Sequence, residues 1–206
     1  MAIKNIIFDL GNVLIPLEQE AARDAFNELL AENQKKADIL SFKNLSAFID
    51  YEIGKISSEQ FLESIRKFFR LNVLNSEIVN AWNTIIGDFP VENVAMLKKL
   101  GQHYRLFVLS NTNEIHANKY EKEVPGTEHL GDLFEKLYYS HIMGLRKPQR
   151  EIYEQVLSEN RLNPSETLFA DDLAENIASA GELGIQTLHV TPGLDLPEWF
   201  SKFNRK

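Results

Sequence analysis

The sequence predicts an α/β fold: a parallel sheet with helices on both faces and an all-helical insertion after the first strand. Three observations predict it. The apolar run Ile6-Ile7-Phe8 stops at Asp9-Leu10-Gly11-Asn12, which reads as a strand buried on both faces that delivers a carboxylate to its C-terminal tip. From Phe89-Pro90 onward, strand-like and helix-like segments alternate, the pattern of a parallel sheet. Between these regions, the stretch from about Leu17 to Asp88 is predominantly helical in its periodicity. The expected division is a core of residues 1–16 and 89–206 and a helical domain of residues 17–88.

In chain order, Ala21, Phe26, Leu29 and Leu30 form the first apolar face of the insertion, and Ile39, Leu40, Leu45, Phe48 and Ile49 form the next. Ser57-Ser58-Glu59-Gln60 reads as a capping box that opens a helix through Phe61, Ile65 and Phe68. Asn75 or Ser76 is placed to cap a further helix carrying Ile78, Val79 and Trp82. In the core, a helix from Val91 to Leu100 ends at Gly101, and a strand from Arg105 to Leu109 follows. A helix over about Asn113 to Glu123, a short strand at Leu137-Tyr138-Tyr139 and a helix from Arg150 to Glu159 come next. The strand Thr167 to Ala170, the helix Ala174 to Leu183 with Gly184 as its cap, and the strand Gln186 to Val190 complete the sheet. Leu196-Pro197-Glu198-Trp199-Phe200 is expected to pack a short helix on the core.

With 206 residues, 44% hydrophobic and 25% charged, the chain suits one sizeable core and a smaller insertion. No apolar stretch approaches the roughly 20 residues that span a bilayer. The first strand follows Met1-Ala2-Ile3-Lys4-Asn5 without room for a signal peptide. A cytoplasmic location and no membrane partner are therefore expected, with a monomer as the default. Zero cysteines exclude disulfides, thiolate nucleophiles and cysteine-ligated metals. The formal charge of -8 argues against a nucleic-acid partner, because phosphate backbones need clustered Lys and Arg. It leaves room for a small phosphorylated substrate, since a bound cation and one lysine reverse the sign locally.

Four polar clusters follow strand-like runs: Asp9 with Gly11-Asn12, Ser110-Asn111, Arg146-Lys147-Pro148 and Asp171-Asp172. Ligands bind at that edge of an open α/β sheet. Taken singly, each has an ordinary structural reading. An Asp at a strand end is usually a turn or cap residue, Ser110-Asn111 is a helix cap, Lys147 is a solvated charge, and Asp171-Asp172 complements a helix dipole. Their occurrence in order makes coincidence a poor account. His103, His116, His129, His141 and His189 show no metal-ligand spacing. Trp82 and Tyr51 read as packing within the helical bundle, with pocket lining the alternative for Tyr51. Arg146 divides evenly between a surface salt bridge and a substrate contact.

Asp9 with Gly-Asn-Val, Ser110-Asn111-Thr112-Asn113, Arg146-Lys147-Pro148 and Phe169-Ala170-Asp171-Asp172 resemble the four motifs of the haloacid dehalogenase-like (HAD) hydrolase superfamily. The resemblance spans nearly the whole chain. Glu52, Gly54, Ile56-Ser57, Glu59 and Phe61 look like the cap signature of its α-D-glucose-1-phosphate phosphatase-like branch. The resemblance implies a Rossmann-like parallel sheet core with an inserted all-helical C1 cap. It implies a magnesium-dependent phosphatase acting on a small phosphorylated metabolite such as a sugar phosphate. Asp9 would be the nucleophile and form an aspartyl-phosphate. Asp9, the backbone carbonyl of Gly11 and Asp172 would ligate magnesium, with Asp171 a further ligand or a partner standing behind them. Ser110 and Asn111 would donate hydrogen bonds to the phosphoryl oxygens, and Lys147 would neutralise charge between nucleophile and phosphate. The chemistry is coherent: a carboxylate attacks phosphorus, but two anions repel, so cations must stand between them.

One departure bears on mechanism. Most phosphatases of this superfamily carry a second Asp two residues after the nucleophile, which protonates the leaving oxygen. Gly11 stands there instead, and it has no side chain for acid/base work. Such a site is expected to favour leaving oxygens that need little protonation, as in anomeric and acyl phosphates. Otherwise the acid comes from the cap, with Glu52 the candidate. Gly11 is also a candidate for a positive-φ backbone. Two other functions stay open. A 2-haloacid dehalogenase also lacks the second Asp, yet needs no metal and leaves Asp171-Asp172 unexplained. A binding or regulatory protein could keep the fold with little turnover.

Overall fold

The computed structural model describes residues 2–30 and 45–203. Among these, strands β1 (Asn5–Phe8), β2 (Arg105–Ser110), β3 (Lys136–Tyr139), β4 (Thr167–Asp171) and β5 (Gln186–His189) form one all-parallel sheet in the order β3-β2-β1-β4-β5. The register places Phe8 beside Val108 of β2 and Ala170 of β4. Asp9, Ser110 and Asp171 therefore emerge side by side at one edge.

The period of two along each strand sorts side chains into two layers. Ile6, Phe8, Leu106, Val108, Leu168 and Ala170 pack with helix α5 (Val91–Leu100) and with Phe200 of α10 (Leu196–Phe203). Ile7, Phe107, Leu109 and Phe169 pack on the other side, with α8 (Arg150–Asn160) and Ala180 of α9 (Ala174–Glu182). Each fully buried Ile, Leu or Phe contributes roughly 1.5–3 kcal/mol, so the strand tips stand on a rigid base.

The insertion contains α1 (Gln19–Leu29), α2 (Ser46–Glu52), α3 (Ser58–Phe69) and α4 (Asn75–Asn83). Phe26, Phe61, Ile65, Ile78 and Trp82 form its own apolar centre, which also takes in Ile115 from α6 (Glu114–Tyr120) of the core. The two chain crossings lie against each other: Glu18 N donates to Ile85 O at 2.8 Å and Gly87 N to Pro16 O at 3.1 Å. Glycine suits this approach, because a Cβ on Gly87 would stand 2.9 Å from Pro16 Cγ and 3.1 Å from the Pro16 carbonyl oxygen. Ile39 and Leu40 lie outside the described residues.

Ser57 and Gln60 form the expected capping box, with Ser57 N donating to Gln60 Oε1 at 2.9 Å and Gln60 N to Ser57 Oγ at 3.3 Å. Elsewhere the structure corrects the sequence. Leu74, not Asn75 or Ser76, precedes α4, and Glu77 caps the end by accepting from Leu74 N at 2.8 Å. The Asn75 side chain instead accepts from Arg66. Helix α6 stops at Tyr120 rather than Glu123. Gly184, with φ +81°, follows the cap residue Leu183 of α9. Among the described residues no helix is long and apolar enough to cross a membrane.

Candidate active site

Asp9 leaves the tip of β1 with its N–H donating to Ala170 O of β4 at 2.9 Å. Lys147 arrives from the loop between α7 (Ser140–Met143) and α8. Its ammonium lies 2.8 Å from Asp9 Oδ1 and 2.7 Å from Asp171 Oδ2, and the side chain is 1% exposed. Asp171 is fully buried and held on both oxygens. Oδ1 accepts from Leu173 N at 2.8 Å and Asn176 Nδ2 at 2.9 Å, and Oδ2 accepts from Lys147 and, at 3.0 Å, from Asn176. Charge-assisted bonds of this kind are the strong ones.

The Lys147 backbone is fixed too. Asn111 Nδ2 donates to Lys147 O at 2.9 Å, and Lys147 N donates back to Asn111 Oδ1 at 2.8 Å. Half-buried Asp172 accepts from Asn12 Nδ2 at 3.0 Å, while Asn12 Oδ1 accepts from Leu17 N at 3.3 Å. Asn12 takes φ +54° to do so, a region that Asn tolerates better than most residues. Gly11 does not hold the positive φ considered for it: its φ lies outside the left-handed region, and Asn12 makes the turn instead. A Cβ on Gly11 would meet Leu17 Cδ1 at 2.9 Å, so an apolar side chain fills the space beside it.

Burial pushes the Asp9 carboxyl up to about 6; Lys147 pulls it down and Asp171 adds to the rise. For Lys147, burial opposes the charge, but Asp9 and Asp171 together hold the ammonium above the ordinary lysine value. The site thus keeps an ammonium beside carboxylates at neutral pH. Asp9, Asp171 and Asp172 each offer an oxygen within 4.8 Å of the others. Such an all-oxygen set fits a hard divalent cation. The histidines take no part in that group.

Above this floor lies a cavity of about 370 Å³. Asp9, Ser110, Asn111, Lys147 and Asp172 line its base, and Leu17, Phe48, Trp82, Ile85 and Ile86 line the side facing the insertion. Glu52 and Arg146 also line it and are joined at 3.0 Å. Of the two readings for Arg146, the structure shows the salt bridge, partly exposed at the cavity wall, where it ties the Lys147 loop to α2. Tyr51 is not a lining residue. It stacks on Phe61 with centroids 4.1 Å apart, bonds Ser58 Oγ at 2.7 Å and accepts from Ile115 N at 3.2 Å.

Trp82 lines the cavity instead, and its ring stacks on His116 at 5.0 Å. His116 Nε2 donates to Trp82 O at 3.1 Å, so Nδ1 accepts from Asn113 Nδ2 at 3.2 Å. Asn113 Oδ1 in turn caps α6 through His116 N. Burial lowers the His116 pKa to about 4, leaving the ring neutral. Sequence reasoning read Trp82 as bundle packing and Asn12 as part of the Asp9 motif without a bonding role, and gave no site role to Asn176 or His116. Asn12 had a signal, a Gly-Asn pair just after the strand-end acid; Asn176 had only its place in the first turns after Asp171-Asp172. A buried carboxylate beside a fixed ammonium, with oxygen ligands for a cation at the base of a cavity, can attack an anionic electrophile.

Known proteins share this arrangement of chain. The family model of haloacid dehalogenase-like hydrolases matches residues 3–184. A D-ribitol-5-phosphate phosphatase of Bacteroides thetaiotaomicron is 31% identical over 94% of this chain and 94% of its own length. A sesquiterpene phosphatase of Aspergillus oryzae is 26% identical over 93% of this chain and 91% of its own. The crystal structure of a HAD family enzyme from Bacteroides thetaiotaomicron, in complex with magnesium and inorganic phosphate, matches with a TM-score of 0.89 at 34% identity. That match covers 97% of this chain and 100% of the other. With its α/β core, its helical insertion and this match over most of its length, the chain belongs to the haloacid dehalogenase-like hydrolase family.

Proposed function

We propose that the protein is a magnesium-dependent phosphatase of a small phosphorylated metabolite, a sugar or sugar-alcohol phosphate, working through an aspartyl-phosphate on Asp9. The observation that carries this reading is the buried Lys147 ammonium, 2.8 Å from Asp9 and 2.7 Å from Asp171 at the floor of the cavity. A cation fixed there lets a carboxylate and a phosphate approach each other. The two phosphatase relatives and the magnesium and phosphate complex of a family member support it.

In this reading Asp9 attacks phosphorus, and the bond to the leaving oxygen breaks with its electron pair going to that oxygen. Water then cleaves the acyl phosphate and restores the carboxylate. Lys147 holds Asp9 in line and offsets the negative charge. Ser110 donates to a phosphoryl oxygen. Asn111 positions Lys147 through both backbone bonds and keeps its second amide hydrogen for the phosphoryl group. Asp9, Asp172 and the Gly11 carbonyl would hold magnesium, which when bound neutralises phosphate charge and orients it toward the nucleophile. Asp171, committed to Lys147, Asn176 and Leu173, stands behind these ligands. With Leu17 beside Gly11, the leaving oxygen either needs little protonation, as in an anomeric or acyl phosphate, or takes its proton from Glu52 in the cavity wall, as a sugar-alcohol phosphate requires. Residues 17–88 act as the cap over a core of residues 1–16 and 89–206, and the chain works as a cytoplasmic monomer.

A metal-free dehalogenase would leave the clustered carboxylates Asp9 and Asp172 without a cation between them. A screen of phosphorylated metabolites, including ribitol 5-phosphate, glucose 1-phosphate and glucose 6-phosphate, tests the proposal. Phosphate release is expected with magnesium and is lost in EDTA and in Asp9→Asn. Full activity in EDTA, or no release from any ester, would overturn it.

A further inference from the structure

The phosphoryl chemistry accounts for the floor of the cavity and leaves open what meets the rest of the substrate. Several polar side chains of the wall are tied to protein partners: Asn12 to Asp172, Asn113 to His116 and Tyr120 to Thr112. Arg146 is different. Its Nη2 lies 3.0 Å from Glu52 Oε2, while its Nε–H is buried and meets no acceptor among the described residues. Asn176 Oδ1 is also buried without a donor, but its amide bonds Asp171 and so belongs to the phosphoryl end.

Arg146 stands where such a donor is of use. It precedes Lys147, whose ammonium lies 2.8 Å from Asp9 and whose backbone is bonded twice to Asn111. The Arg146 backbone N–H donates to Gln149 Oε1 at 2.9 Å. The loop thus holds one end of the side chain near the nucleophile, and Glu52 holds the tip. The side chain is 32% exposed at the cavity wall, which leaves it room to turn the Nε–H toward a ligand. A buried donor without an acceptor is costly, so an oxygen that arrives there recovers what the free protein lost. A guanidinium donates and never accepts. The ligand atom is therefore an oxygen with a lone pair, in a hydroxyl, carbonyl or carboxylate, and the Nη2 contact with Glu52 need not open. A plain alkyl chain leaves the donor unmet, and an ammonium is repelled.

We infer that Arg146 is a specificity residue whose Nε–H binds an oxygen on the body of the phosphate ester, so that the site selects oxygenated bodies over alkyl and aminated ones. The inference rests on the phosphatase reading and names the substrate class of that same site. A contact this remote from phosphorus orients the ester for attack, as binding energy away from the reacting atoms commonly does.

The test uses pairs of equal chain length with and without hydroxyls: ribitol 5-phosphate against pentyl phosphate, and glycerol 3-phosphate against propyl phosphate. The parent is expected to prefer the hydroxylated member by at least about tenfold in kcat/KM. Arg146→Lys keeps a cation for Glu52 but has no N–H at the Nε position. It should bring the ratio below about threefold, mainly by raising KM for the hydroxylated member. Glu52→Gln keeps an acceptor for Nη2 and leaves the Nε–H in place, so the parent's ratio should survive whatever happens to turnover. Calorimetric binding of the same pairs to the Asp9→Asn protein gives a readout apart from turnover. It should show the same preference and lose it when Arg146→Lys is added. Equal handling of both members by the parent, or a ratio kept in Arg146→Lys and lost in Glu52→Gln, overturns the inference while leaving the phosphatase reading in place. Absence of phosphate release from every ester, acetyl phosphate included, overturns the phosphatase reading, and the binding preference still decides the role of Arg146.

Discussion

The two ends of the cavity are built on opposite rules. At the phosphoryl end the charged groups are tied to one another: Lys147 to Asp9 and Asp171, Asp171 to Asn176, Asp172 to Asn12. At the far end an apolar wall carries the Glu52–Arg146 ion pair and a buried Arg146 N–H without an acceptor among the described residues. The carboxylates of the first set leave adjacent strand tips, and Lys147 reaches them from the loop before α8; the second set joins Glu52 of the insertion to Arg146 of that same loop. The contrast teaches where each kind of work is placed. Charge stabilisation needs groups that do not reorganise during reaction, while selectivity needs a surface that can differ between family members without disturbing that wiring.

The largest effect expected from breaking this contrast is at Lys147. Lys147→Met leaves two buried carboxylates without their cation, so turnover should fall at least about a thousandfold. Stability should drop by roughly 3–5 kcal/mol, as when one partner of a buried pair is removed. Denaturant unfolding checks the second figure, and an unchanged midpoint would show that the floor is not held by charge. The next effect separates the two neighbouring acids. Asp172→Ala should abolish magnesium-dependent activity and weaken magnesium binding far more than Asp171→Asn does. Asp171→Asn should instead lower kcat by about a hundredfold through a loosened Lys147. Magnesium calorimetry that ranked them the other way would exchange their roles.

A smaller effect concerns the joint between the two ends. The His116 pKa falls from 6.5 to about 4 in the folded protein. Above pH 6.5 neither state takes up a proton, and stability does not depend on this ring. Between pH 6.5 and 4 the unfolded chain is protonated and the folded one is not, so stability falls as pH falls. At about 1.4 kcal/mol per pH unit the loss approaches about 3 kcal/mol. His116→Gln should flatten this acid limb of the unfolding free energy, and identical slopes in parent and variant would exclude a buried neutral ring. The smallest effect is at Gly11. Gly11→Asp needs only a turn of the Leu17 side chain, so it should fold with a Tm close to the parent's. By supplying an acid, it should narrow the preference for acyl and anomeric phosphates over alkyl ones. A Brønsted plot of the phosphorylation step, flat for both proteins, would remove Gly11 from the account of substrate choice.

Much of the floor was legible because a parallel sheet aligns the ends of its strands. Once Ile6-Ile7-Phe8, Arg105 to Leu109 and Thr167 to Ala170 read as strands, Asp9, Ser110 and Asp171 had to reach one edge. The wall was not legible in the same way. Tyr51 and Trp82 both sit on apolar helix faces, and periodicity cannot say which one looks into the cavity. That depends on how the insertion leans on the core, a matter of the contacts at Leu17, Ile86 and Gly87. Asn12 and Asn176 escaped because their roles lie in hydrogen bonds across loops and turns, whereas composition records only two ordinary asparagines. The Gly11 backbone was misjudged because a Gly-Asn pair needs one positive φ, and the sequence alone does not say which residue supplies it.

The central claim is that the floor transfers a phosphoryl group to Asp9. It is tested most directly by mixing the protein with magnesium and a phosphate ester, quenching in acid within the first turnover, and reading the peptides by mass spectrometry. The phosphoryl group is expected on the peptide containing Asp9, appearing and decaying fast enough to support steady-state turnover, and absent in Asp9→Asn. Phosphate released while that peptide stays unmodified, or a phosphoryl group trapped on another residue, would contradict the account.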